Sequence, residues 1–131
     1  MSALFADTFF FLALLNDRDA AHAQALRFEG VAPMVTTGWV LTEVGDALSA
    51  PENRRLFLRL LALLQESPDV RILPFSETLF ARGVGLFRQR PDKEWSLTDC
   101  ISFVVMADEG IVSALTGDHH FEQAGFRALL K

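Results

Sequence analysis

The sequence predicts an α/β domain built on a mostly parallel sheet, and three observations carry that expectation. Short, mainly apolar runs recur at residues 3–6, 34–36, 70–73 and 112–115, as strands buried on both faces require. Longer stretches of helical periodicity separate them, which is the rhythm of right-handed strand–helix–strand crossovers. The 131 residues, half of them apolar, suffice for one core and one domain spanning 1–131.

Each element follows from local signals. The first run stops at Asp7, and the pattern then turns helical through Leu15. A second helix is expected over 18–28, with Gly30 as its stop and Pro33 opening the second strand. Residues 37–48 read as a helix that Pro51 ends, and 52–66 as a leucine-rich helix carrying Leu56, Leu60, Leu61, Leu63 and Leu64. Pro74 closes the third strand. Residues 75–89 are helical although Gly83 and Gly85 each weaken the helix by about 1 kcal/mol relative to Ala, and 90–93 form a polar loop. A strong helix is expected over 96–109, where Gly110 occupies a C-terminal cap position. After the fourth strand, Thr116-Gly117-Asp118 turns the chain, a short helix reaches about residue 124, and 126–130 read as an edge strand.

Composition narrows the function classes. Twelve basic against 17 acidic residues give a net charge of −5, so no diffuse positive field holds nucleic acid, and any such substrate needs a local means of attachment. A single cysteine, Cys100, forms no internal bridge and fits a reducing compartment. The run FFFLALL at residues 9–15 has no basic residue before it and Asp7 abutting it, so it is neither signal peptide nor membrane span. The chain is expected to be soluble and cytoplasmic.

In open parallel sheets, ligands bind beyond the carboxyl ends of the strands. Asp7 ends the first strand, Asp118 follows the fourth, and Asp99 lies in the first turn of the helix that feeds the fourth. Glu43 flanks the apolar stripe of Val40, Val44 and Ala47, so it points inward or along a cleft. Each acid also has a plainer explanation. Ser96-Leu97-Thr98-Asp99 fits a capping box, Asp7 and Asp118 suit helix N-termini, and Glu43 suits an exposed helix face. Gathered together, however, they repel: two charges about 4 Å apart cost on the order of 4 kcal/mol at an effective dielectric of 20. Such a cluster calls for a cation, and oxygen-only ligation with no Cys or His at metal spacing selects Mg²⁺ or Mn²⁺. Setting these four aside from 17 acids leaves 13 against 12 bases, so most of the net charge can belong to one site.

Four stretches resemble the PIN-domain ribonucleases, and especially the toxin components of bacterial VapBC toxin–antitoxin pairs: LFADTFFFLALLNDRDAAHAQA, VTTGWVLTEVGDAL, WSLTDCISFVVM and ALTGDHHFEQAGF. They are spread over nearly the whole chain, from residue 4 to residue 126, in the family's order. The resemblance implies a three-layer α/β/α sandwich and a metal-dependent endonuclease site that cuts single-stranded or loop RNA. It places the family's four acids on Asp7, Glu43, Asp99 and Asp118, as catalytic residues and ligands of Mg²⁺ or Mn²⁺. Thr8, Thr98 and Thr116 are then available to orient carboxylates or a water, although each also reads as an ordinary cap or turn threonine. An antitoxin partner and a homodimer are implied as well, with the leucine-rich 56–64 stretch either a core helix or the pairing surface.

Arg88, Arg90 and Lys93 are candidates for RNA phosphate contacts, with Trp95 stacking a base; Asp92 and Glu94 dilute that patch. His119 and His120 are expected at the surface, because adjacent helix residues do not face each other, and His22 likewise. Gly83-Val84-Gly85 is not a dinucleotide fingerprint. The alternative within the same fold is a catalytically silent module that binds RNA or protein. A phospho-acceptor receiver is disfavoured because the only lysines are Lys93 and Lys131, and a haloacid-type phosphatase because Phe9, not aspartate, stands two residues after Asp7.

Overall fold

A computed structural model describes residues 2–131. The elements run β1 (Leu4–Ala6), α1 (Thr8–Leu15), α2 (His22–Phe28), β2 (Met34–Thr37), α3 (Gly38–Ala47), α4 (Arg54–Glu66), β3 (Val70–Leu73), α5 (Glu77–Gln89), α6 (Leu97–Glu109), β4 (Ser113–Leu115), α7 (His119–Gln123) and β5 (Arg127–Ala128). The five strands form one sheet in the order β3-β2-β1-β4-β5, and every pairing is parallel. The expected mostly parallel sheet is therefore wholly parallel, and β5 is an edge.

The order dictates the layers. The chain steps outward from β1 through β2 to β3, then returns across β1 to β4 and β5. With right-handed crossovers the first two steps put α1 to α4 on one face and the reversed steps put α5 to α7 on the other. Contacts agree: α1 packs on α2 and α3, and α3 on α4, while α6 packs on both α5 and α7. This is the α/β/α sandwich.

The core lies on both faces of β1 and β4. Phe5, Phe10, Phe11, Phe121, Ile101, Met106 and Leu115 are fully buried. Phe103 joins Trp95, Phe121 and Phe126 in an aromatic cluster with ring centroids 4.9 to 5.7 Å apart, a spacing that favours edge-to-face contact. Helices α5 and α6 cross closely at Gly83, where a Cβ would lie 2.3 Å from Ile101 Cγ1. The glycine that weakens α5 locally is what lets the two helices meet.

Several boundaries differ from expectation for local reasons. Helix α2 starts at His22, not at residue 18, because the Asn16 and Asp19 side chains accept from the Arg18 and Ala21 amides and turn the chain first. Val112 lies outside β4 and is 65 % exposed. In α4, Leu60 and Leu64 are buried whereas Leu58 and Leu63 face outward, so that helix is amphipathic rather than apolar all round. His22 is half-buried, its Nδ1 2.8 Å from the Ala13 carbonyl near the end of α1, and is not the free surface histidine expected. No helix among the described residues is long and apolar enough to cross a membrane.

Candidate active site

The strand order reverses between β1 and β4, which opens a crevice beyond their carboxyl ends. Asp7 is the residue after β1 and Thr116 the residue after β4, so both enter that crevice by position alone. Thr36 Oγ1 donates to the Ala6 carbonyl at 2.8 Å and fixes the end of β1 against β2. Asp7, Thr8, Phe9, Leu12, Glu43, Glu94, Ser96, Asp99, Asp118 and His120 line a cleft of about 390 Å³ there. All four acids singled out in the sequence are thus in one place.

One oxygen of each acid is held by a donor from the protein. Thr116 Oγ1 donates to Asp7 Oδ2 at 2.9 Å, wholly buried, and accepts the Asp118 amide at 3.1 Å. Thr8 Oγ1 donates to Glu43 Oε1 at 2.6 Å. The Ser96 amide donates to Asp99 Oδ2 at 3.2 Å, and Ser96 Oγ accepts the Asp99 amide at 2.9 Å, a complete capping box. The His120 amide donates to Asp118 Oδ1 at 2.9 Å, which makes Asp118 the cap of α7. Capping does not take Asp99 and Asp118 out of the cleft: each caps a helix with one oxygen while lining the cleft. Thr98 is the exception among the threonines. It donates to none of the acids and lies outside the cleft lining, because the capping role at this helix falls to Ser96.

Electrostatics match a crowded, poorly solvated set. The Asp7 carboxyl is pushed up from 3.8 to about 7, first by burial and then by the negative charge of Asp99, while the Thr116 hydroxyl and the Thr8 amide draw it back and Glu43 adds a smaller push. Asp99 is raised as well, chiefly by burial, with its Ser96 and His120 partners opposing. Without a cation, the innermost acid holds a proton near neutrality.

His120 was not expected here. Its side chain is only 17 % exposed, with Nδ1 3.2 Å from Asp99 Oδ2 and 3.4 Å from Asp118 Oδ1. His119 is exposed as predicted, yet its Nδ1 lies 3.6 Å from the same Asp118 oxygen. The rule that helical neighbours diverge fails at a first turn, because the capping aspartate folds back over that turn and reaches both rings. The informative signal was a histidine two residues after a capping aspartate. Donor atoms of Asp118, His119 and His120 lie within 4.8 Å of one another. Two imidazoles thus stand beside the carboxylates, where the sequence offered oxygen donors alone, and such a mixture would accept Mn²⁺ and Zn²⁺ as well as Mg²⁺. With hard oxygens in the majority and repulsion to offset, the residues fit a divalent cation.

The basic loop is arranged differently from expectation. Trp95 is 5 % exposed, packed edge-on against Phe103 with Nε1 donating to Gln123 at 3.0 Å, so its ring is not free to stack on a base. Arg90 is paired through two hydrogen bonds with Asp92 and lies over the Trp95 ring, 5.2 Å from its centroid. Arg88, Arg90 and Lys93 line a groove with Phe87 and Pro91. That groove adjoins the cleft, since Glu94 and Ser96 follow directly in sequence.

Comparison with known proteins agrees with the geometry. Residues 4–127 match the PIN domain family. The chain is 32 % identical over 125 residues to the 23S rRNA-specific endonuclease VapC20 of Mycobacterium tuberculosis, in two strains, covering 94 % of this chain and 95 % of the relative. The crystal structure of M. tuberculosis VapC20, described as a Sarcin-Ricin loop cleaving toxin, superposes with a TM-score of 0.85 at 31 % identity, covering 95 % of this chain and 96 % of that one. A match that runs from β1 through β5, with the acids gathered where the strand order reverses, makes this chain a member of the PIN domain family.

Proposed function

We propose that the protein is a metal-dependent endoribonuclease that hydrolyses phosphodiester bonds in loop or single-stranded RNA, and that it is the toxin of a toxin–antitoxin pair. The observation that carries this reading is the cleft itself, in which four acids share one crevice and one of them keeps its proton to about pH 7 without a cation. The likeness to VapC20 over nearly its whole length supports RNA as the substrate and an antitoxin as the partner.

Asp7, Glu43 and Asp99 would hold the principal Mg²⁺ or Mn²⁺, and Asp118 would complete the site or hold a second ion. A bound cation supplies Lewis acidity to the scissile phosphate and makes a water acidic enough to attack it near neutral pH. The remaining work belongs to the chain. Asp7 gives up its proton on loading, Thr116 keeps its carboxylate turned to the cleft, and Thr8 does the same for Glu43. Arg88 and Lys93, which form no ion pair among the described residues, are the groups for RNA phosphates in the adjoining groove; Arg90 reaches them only by leaving Asp92. Leu58, Leu63, Phe75, Phe80 and Phe87 are exposed and offer apolar surface for a second copy or the antitoxin. The reading places the protein in the cytoplasm.

The test is incubation of the purified protein with structured RNAs in Mn²⁺, in Mg²⁺ and in EDTA, beside Asp99→Asn. Discrete cleavage that needs metal and disappears in the variant is expected. Wild-type protein that cuts nothing under any condition, or cuts equally well in EDTA, overturns the reading.

A further inference from the structure

His120 brings a single ring nitrogen up to the carboxylates of two of the acids. Its ring nitrogen Nδ1 lies 3.2 Å from Asp99 Oδ2 and 3.4 Å from Asp118 Oδ1, and its backbone amide donates to that same Asp118 oxygen at 2.9 Å. Asp99 comes from α6 and Asp118 from the turn after β4, so no backbone hydrogen bond of the sheet or helices sets the distance between their carboxylates. Ionised carboxylates only accept hydrogen bonds. A ring nitrogen facing two of them must therefore carry the proton, which fixes the tautomer and leaves Nε2 as the free nitrogen of the neutral ring.

We propose that His120 is a positioning residue, whose Nδ1–H draws the Asp99 and Asp118 carboxylates to one another and so sets the spacing of the cation site. The proposal rests on the reading of the cleft as a metal site. The Ser96 amide and His120 both aim at Oδ2 of Asp99, which leaves the other oxygen of that carboxylate without a hydrogen-bond partner among the described residues. Partners of this kind fix ligand orientation, and their removal typically lowers metal affinity about 10- to 100-fold.

Which nitrogen matters can be read by isosteres. The amide nitrogen of Asn can occupy the place of Nδ1, whereas that of Gln reaches the place of Nε2. Mn²⁺ binding to His120→Asn, His120→Gln and His120→Ala, measured by titration calorimetry, should follow that geometry. The expected result is affinity within about 3-fold of wild type for Asn and a loss of about 10- to 100-fold for Gln and Ala. Long-range ¹H–¹⁵N correlation spectra of the metal-free wild-type protein at pH 8 should show the proton on Nδ1 of His120, and this measurement does not depend on any variant folding. Equal Mn²⁺ affinity in all three variants, rescue by Gln but not Asn, or an Nδ1 without a proton overturns the positioning role while leaving the metal site intact. Wild-type protein that binds no Mn²⁺ overturns the metal reading instead.

Discussion

Thr116 Oγ1 donates to Asp7 Oδ2 at 2.9 Å across 109 residues of sequence, joining the ends of the two strands where the sheet order reverses. The same oxygen accepts the Asp118 amide, so one hydroxyl holds an acid on each side of the crevice. Replacing it by a shape-matched apolar group leaves a buried carboxylate oxygen without its donor, which costs about 1–3 kcal/mol. Thr116→Val should lower stability by that order and reduce cleavage about 10- to 100-fold, whereas Thr116→Ser should keep most of both. Urea melts and single-turnover cleavage rates check the pair.

Asp7 gives the metal-free protein a pH dependence of definite sign. Its carboxyl titrates near 7 in the folded chain and near 3.8 in the unfolded one, so between those values the folded state holds a proton that the unfolded state has lost. Stability must then fall as pH rises through 4 to 7, with no penalty below that window and the whole of it, up to about 4 kcal/mol, present above. Asp7→Asn removes that charge and its share of the slope, and leaves the smaller share of Asp99, which burial also raises. In EDTA the variant should match wild type near pH 4 and exceed it at pH 8, while its metal-dependent cleavage is abolished. Denaturant midpoints at the two pH values decide the question, and a variant no more stable than wild type at pH 8 refutes it.

Cation and proton compete for the same carboxylate. Mn²⁺ should raise the melting temperature more at pH 8 than at pH 5, since at the lower pH Asp7 must first release its proton. Calorimetric titrations near pH 6 in buffers of different ionisation enthalpy should show proton release on binding. An uptake of protons, or equal stabilisation at both pH values, contradicts the assignment.

Two glycines in α5 should respond in opposite ways to the same change. Gly85 has nothing within 4 Å of the place a Cβ would take, so Gly85→Ala should stabilise by about 0.5–1 kcal/mol through helix propensity. At Gly83 that Cβ meets Ile101 Cγ1 at 2.3 Å and Ile101 Cα at 3.3 Å, and α6 must move. Gly83→Ala should lose about 1–3 kcal/mol despite the gain in propensity, as equilibrium unfolding will report.

Much of this was legible in the chain, for reasons that also mark the limits. Strands such as Val70–Leu73 announce themselves because apolar runs end at punctuating residues, here Pro74. Asp7 and Asp118 were identifiable because position at a strand end is a one-dimensional property. Glu43 was visible from its place beside the stripe of Val40 and Val44, and the structure tilts it to Thr8. What stayed hidden depends on partners far along the chain. His120 meets Asp99 from 21 residues away, and Trp95 is buried by Phe103 and Gln123, contacts that no local pattern encodes. Thr98 shows the converse: it stands next to Asp99 in sequence, yet it donates to none of the acids and does not line the cleft.

The central place of β1 has a consequence for when the protein can act. This strand is made before the others of the sheet, yet one of its two neighbours is β4, more than a hundred residues later. Until β4 docks, Asp7 lacks Thr116, and Asp118 has no crevice to face. Closing so long a loop is slow and is rewarded only once the distant contact forms. A chain still being translated therefore carries the first aspartate as an isolated group, and the potential to cut appears late and all at once, when the C-terminal strands add to the sheet.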